Sequence, residues 1–149
     1  MIVEAQVVIH GSRAAIWAAI TDIENAAQVI SGIEKIEVLE QPSAGLVGLK
    51  WRETRMLFGK PAGADKWITE AVDQAFYRTR AESDGFVFLT TLSLSESGDG
   101  MRLTSSHESQ PQGLAARFLK VPMLFLFRGV MKKAILQDLD DLKSAVEKS

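Results

Sequence analysis

Residues 112–148 read QGLAARFLKVPMLFLFRGVMKKAILQDLDDLKSAVEK, and the whole chain is read around them. The stretch has the pattern of one long C-terminal helix. In its second half Met131, Ile135, Leu139, Leu142 and Val146 recur at steps of four, four, three and four, which places them on one stripe. Asp138, Asp140, Asp141, Lys143 and Glu147 fall largely off that stripe and read as a solvated face. The first half differs. From Leu114 to Phe127 apolar residues go all the way round, interrupted by Arg117 and Lys120. A helix of that kind must be covered on every side or face something other than water. Pro122 cannot donate to the carbonyl of Phe118, which predicts a kink costing about 3 kcal/mol unless packing holds the bend. Two readings follow. This half closes a cavity, with Phe118, Pro122 and Phe125 in its wall and Pro122 controlling access, or it packs on ordinary core.

Everything before this helix reads as strands that need an apolar cover. Ile2 to His10 alternates and is rich in Val and Ile, the pattern of a strand. Gly11 ends it, and Ser12 is placed to cap a short helix reaching about Ile20. Asp22 is placed to cap a second short helix ending near Ile30. Ile33 to Leu39 alternates again. Strands follow at Val47 to Phe58, Lys66 to Val72, Ala75 to Glu82, Phe86 to Leu94 and Met101 to Ser109. Gly59 to Gly63, Asp73-Gln74, Ser83-Asp84-Gly85 and Ser97 to Gly100 read as the turns between them. Strands joined by short turns form an antiparallel meander, and the long helix is the obvious cover for one of its faces.

Composition narrows the chemistry. The 149 residues are enough for one domain, read as spanning 1–149, and 46% apolar against 24% charged is ordinary for a globular chain. A net charge of −2 argues against nucleic acid as a principal partner. There is no cysteine, so disulfides, thiolate metal sites and cysteine nucleophiles are excluded. Residues 1–6 lack the basic start of a secretory signal. The strongest apolar run, Val121 to Phe127, is far shorter than the roughly 20 residues of a membrane span. A cytoplasmic location is the resulting expectation. The two histidines, His10 and His107, have no second histidine at ligand spacing, so no metal is expected. No phosphate-binding, dinucleotide or nucleophile-elbow motif is present, and no cofactor is expected.

The alternation of the strands proposes a site. Val47, Leu49, Trp51, Glu53, Arg55 and Leu57 share the more apolar face of the longest strand, so that face is turned inward. Glu53 and Arg55 then point inside on the same side, two positions apart. Met101, Leu103, Ser105, His107 and Ser109 form the inward face of the last strand, and Tyr77 and Thr79 share the apolar face of theirs. The plainer alternatives stand beside this. Glu53 and Arg55 also fit a solvated pair at a curved rim. His107 also fits a satisfied interior histidine, Trp51 and Trp67 fit packing, Trp17 fits the junction of short helices and sheet, and Tyr77 fits a hydrogen bond at the sheet edge.

The order of elements resembles the START-like superfamily with its helix-grip fold, and within it the polyketide cyclase/dehydrase-like branch. The resemblance rests on Ile9-His10-Gly11-Ser12 leading to Ile16-Trp17, Thr21-Asp22-Ile23-Glu24, Val47-Gly48 before Trp51-Arg52-Glu53-Thr54-Arg55, Gly98-Asp99-Gly100 before Arg102-Leu103-Thr104, and Leu139 to Leu142. Relatives usually carry an aromatic after the second short helix, where this chain has Val29-Ile30. The resemblance implies an α+β fold in which a curved seven-stranded antiparallel sheet wraps a long C-terminal helix, with two short helices between strands 1 and 2. It implies a cavity for a hydrophobic small molecule such as a polyketide, quinone, sterol or lipid. Trp51, Glu53, Arg55, Tyr77, Ser105, His107, Phe118, Pro122 and Phe125 are the expected ligand-binding residues. Arg55 would offer donors to the polar end of the ligand while Glu53 holds its guanidinium. Two other functions fit the family: a cyclase or dehydratase using Glu53, Arg55 and His107 for catalysis, and an interaction module acting on a chaperone or ribosome. The pattern is compatible with a homodimer.

Overall fold

The computed structural model describes residues 1–83, 85–112 and 128–149 in full, together with the helical backbone of 114–127. The side chains of Phe118, Pro122 and Phe125, and with them the expected role of Pro122 in access, lie outside the described residues. The chain runs β1 (Ile2–Ile9), α1 (Arg13–Thr21), a 3-10 turn (Ile23–Asn25), α2 (Ala26–Val29), β2 (Ile33–Glu40), β3 (Lys50–Leu57), β4 (Lys60–Val72), β5 (Phe76–Ser83), β6 (Phe86–Ser97), β7 (Gly100–Pro111) and α3 (Leu114–Lys148). The strands form one seven-stranded sheet in the order β1-β7-β6-β5-β4-β3-β2, antiparallel throughout. This is the helix-grip arrangement, with a C-terminal helix against a curved sheet and the short helices between β1 and β2.

Local chemistry explains most boundaries. The Ser12 hydroxyl accepts from the Ala15 amide at 3.1 Å, so α1 begins where expected. The second short helix differs from expectation. It splits into a 3-10 turn and the four-residue α2, and Asp22 makes no capping bond to a backbone amide. Its carboxylate instead accepts from the Asn25 side chain at 3.1 and 3.2 Å. The turn after β3 is also shorter than expected. Phe58 and Gly59 take φ of 52° and 80°, and Leu57 pairs with Lys60. That is a two-residue hairpin turn of the primed kind, whose twist matches the strands. Residues 60–65 therefore extend β4. Pro61 is tolerated there because pairing with β5 starts only at Lys66, leaving that flank without a ladder.

The core lies between the concave face of the sheet, α1 and the second half of α3. Ile9, Ile16, Ile68, Leu103 and Leu139 are fully buried in it, with Ile135 and Leu142 close behind. The helical stripe therefore faces the sheet as its period requires. The charges beside it are not simply a solvated face. Lys143 Nζ donates to the Val8 carbonyl at 2.6 Å, the His10 amide donates to Glu147 at 2.9 Å, and Ser31 donates to Asp141 through both its amide, at 2.9 Å, and its hydroxyl, at 2.8 Å. Polar ends thus pin the helix to β1 and to the loop before β2.

Candidate functional site

A cavity of about 290 Å³ lies between the sheet, the short helices and α3. Ile20, Ile23, Val29, Ile30, Ile36, Leu92, Ile135 and Leu139 give it apolar walls. Val29 and Ile30, at the end of the second short helix, are part of that wall. Expected site residues Trp51, Glu53, Arg55, Tyr77, Ser105 and His107 all line it. The register brings them together. Ile68 on β4 faces Thr79 on β5, which faces Thr90 on β6, which faces His107 on β7. One step along, Tyr77, Leu92 and Ser105 form a neighbouring row. Strand alternation turns both rows inward.

The charged residues form a closed cluster. Glu53 is only 7% exposed. Its carboxylate accepts from Arg55 Nε at 2.7 Å and from Lys66 Nζ at 2.9 Å, both at Oε2. The indole of Trp51 lies 3.4 Å from the other oxygen. The Arg55 guanidinium then turns toward α3, where Nη1 and Nη2 donate to the two oxygens of Asp138 at 3.2 and 2.8 Å. Two carboxylates and two cations thus balance one another. Burial pushes the Glu53 carboxyl up, but Lys66 and Arg55 overcome it and hold it at about 2. Burial also opposes the charge on Arg55, and Asp138 with Glu53 more than restores it, raising its pKa. Both expected charges therefore line the cavity, and Arg55 reaches the rim, with 26% of its side chain exposed.

Lys66 and Asp138 complete this cluster, and neither stood out in the sequence. Lys66 lies two residues before the buried Ile68, so the strand period carried the signal. Asp138 lies three residues after Ile135 and four before Leu142, on the flank of the apolar stripe rather than opposite it. Gly32 matters for a steric reason. A Cβ built there would sit 2.9 Å from Arg55 Nη1 and 3.5 Å from Asp138 Oδ1. Gly32→Ala should therefore displace the guanidinium from Asp138 and cost about 1 kcal/mol, the usual net worth of one hydrogen bond. Urea unfolding checks this; a wild-type midpoint would show that Arg55 moves aside without loss.

Among the described residues, the other polar groups on the sheet side of the cavity are hydroxyls and an imidazole. Ser105 Oγ is 2.9 Å from His107 Nε2, and Thr90 Oγ1 is 3.3 Å from Nδ1. Burial, with Lys66 and Arg55 nearby, lowers the His107 pKa to about 4 despite the pull of Glu53, so the ring is neutral at pH 7. A neutral imidazole has one N–H and one lone pair. One hydroxyl therefore accepts from the ring and keeps its own proton for another partner, while the other donates to it. Thr79 is buried, and its hydroxyl has no hydrogen-bond partner among the described residues. Tyr77 is already committed. Its hydroxyl donates to the Ile20 carbonyl at 2.8 Å, and Trp17 meets its ring edge-on at 6.1 Å. Burial raises its pKa. Tyr77 thus joins sheet to α1 rather than hydrogen-bonding at a sheet edge. Trp67 instead lies under the Lys50 ammonium, 5.8 Å from its ring centre.

A group of three or more histidine or acidic side chains able to hold a metal does not occur among the described residues. No helix among them is long and apolar enough to cross a membrane.

Comparison with known proteins agrees with this architecture. The model of the family described as polyketide cyclase / dehydrase and lipid transport matches residues 1–147. The chain belongs to this family. Its solved structural neighbours include the Thermus thermophilus protein TTHA0849, at a TM-score of 0.81 and 17% identity, covering 99% of this chain and 98% of that one. The Zhui aromatase/cyclase of Streptomyces sp. R1128 aligns at a TM-score of 0.77 and 15% identity, over 99% and 94% of the two chains. A START superfamily protein from Mycobacterium smegmatis aligns at 0.76 and 16%, over 99% and 97%. At these identities the likeness is one of fold. Among curated proteins, none matches the sequence closely enough to be counted a relative.

Proposed function

We propose that this family member binds a compact hydrophobic small molecule between its sheet and its C-terminal helix. The observation that carries the reading is the cavity, with aliphatic and aromatic walls and a few convergent polar groups on one side. That is the composition of a ligand site, in which apolar burial supplies affinity and sparse polar groups set orientation. The family description, which joins cyclases with lipid transport, supports the same reading. A cavity of that size accommodates a ligand of one or two fused rings.

Catalysis of the cyclase or dehydratase kind is the second reading. A neutral His107 beside two hydroxyls favours it, since such a ring can accept a proton from a bound ligand. Binding is tested by calorimetric titration with 2-naphthol, and by native mass spectrometry of the purified protein for a co-purifying molecule. Leu92 lines the cavity, so Leu92→Trp should fill it and abolish the titration while circular dichroism stays unchanged. If wild type takes up no 2-naphthol and carries no small molecule, the reading is wrong. Conversion of a bound polyketone by wild type, lost in His107→Gln, would establish the second reading.

A further inference from the structure

The charge pattern of the cavity says more about what enters it. We propose that the cavity selects an uncharged aromatic alcohol or ketone and rejects the carboxylate of the same shape; this deepens, and rests on, the binding reading above. Glu53, Arg55, Lys66 and Asp138 pair with one another across β3, β4 and α3 and balance in charge. Arg55 spends all three guanidinium nitrogens on Glu53 and Asp138, so it has no free fork for a ligand carboxylate. On this proposal Arg55 serves to balance charge rather than to donate to the ligand as expected from the sequence. Asp22, exposed at the cavity rim, adds a further negative charge.

Among the described residues, what faces the cavity from the sheet beyond this cluster is neutral, and the one further charge, that of Asp22 at the rim, is negative. The Thr79 hydroxyl, the pair Thr90 and Ser105, and His107 between them form a polar floor across β5, β6 and β7. Such groups can donate to, and accept from, a phenol hydroxyl or a ketone oxygen. They cannot neutralise an anion. A carboxylate would lose its hydration and meet a charge-balanced wall, so it enters without compensation.

The test compares 2-naphthol with 2-naphthoate by calorimetry at pH 7, where the first is neutral and the second ionised. Wild type should bind 2-naphthol more tightly by on the order of tenfold or more. Asp138→Asn then frees one of the two Arg55 donors now held by Asp138, since the amide keeps a single acceptor oxygen, and leaves the cluster with one excess positive charge. It should shift the ratio of the two affinities toward 2-naphthoate by about tenfold. Glu53→Gln makes the same change of charge at Lys66 and serves as the second variant, with circular dichroism confirming the fold of each. Binding of 2-naphthoate by wild type at least as tight as 2-naphthol overturns the inference alone. An unchanged ratio in folded Asp138→Asn and Glu53→Gln also overturns it. Uptake of neither compound overturns it together with the binding reading.

Discussion

Glu53→Gln should lower stability at pH 7 by about 2–4 kcal/mol, although it removes only one charge from the cluster. The carboxylate is buried and holds both Arg55 and Lys66, so its loss leaves Lys66 facing a neutral amide and Arg55 with Asp138 alone. Arg55→Met should cost a similar amount, because Asp138 then loses its partner on the sheet. The double variant should cost less than the sum of the two, by about 1–2 kcal/mol, since Lys66 and Asp138 remain as opposite charges. Urea unfolding of the four proteins measures the coupling. Additive effects near zero would show that the cluster is a solvated rim. The same carboxylate makes stability depend on acid. Its pKa falls from 4.5 to about 2 on folding, so its contribution is complete above 4.5 and is lost as pH drops through about 2.

The second large effect occurs nearer neutrality. The His107 pKa falls from 6.5 in the unfolded chain to about 4 in the folded one. Between these values the unfolded state binds a proton that the folded state does not. Stability is therefore full above 6.5, declines as pH falls toward about 4, and changes no further below it on account of this group. The gap between the two values, at about 1.36 kcal/mol for each pH unit, makes the decline attributable to His107 about 3 kcal/mol. His107→Gln keeps a polar side chain and removes the titration. Its unfolding free energy should fall less than that of wild type between pH 7 and about 4.5, the window in which the ring titrates in the unfolded chain alone. Parallel curves would place His107 in contact with water in the folded protein. Because the ring is neutral at pH 7, any proton transfer it performs there begins as acceptance, not donation.

Much of this architecture is legible along the chain. The period-two pattern placed Leu49, Trp51 and Glu53, and Leu103 and Ser105, on inward faces, and those residues are buried, whereas Val47 and Leu57, read on the same face as Trp51, lie before the strand and at its far end and are exposed. The stripe of Ile135, Leu139 and Leu142 likewise predicted the face of α3 against the sheet. Such patterns report faces because side-chain direction follows from local backbone geometry. Partners do not. Arg55 and Asp138 are 83 positions apart, and whether they meet depends on where a helix crosses a sheet. The same crossing turned Asp141, Lys143 and Glu147 from a solvated face into ties to β1 and the loop before β2. Turn length escaped for another reason. Gly59 to Gly63 holds the residues of a loop, yet positive φ at Phe58 and Gly59 reverses the chain in two residues and the rest pairs with β3. Residue types and their spacing along the chain thus account for the fold, the inward faces and the absence of cysteine chemistry. The closing of the charges on one another, which leaves hydroxyls and a neutral imidazole to meet a ligand, arose from long-range packing, because electrostatic balance belongs to groups that only folding brings within reach.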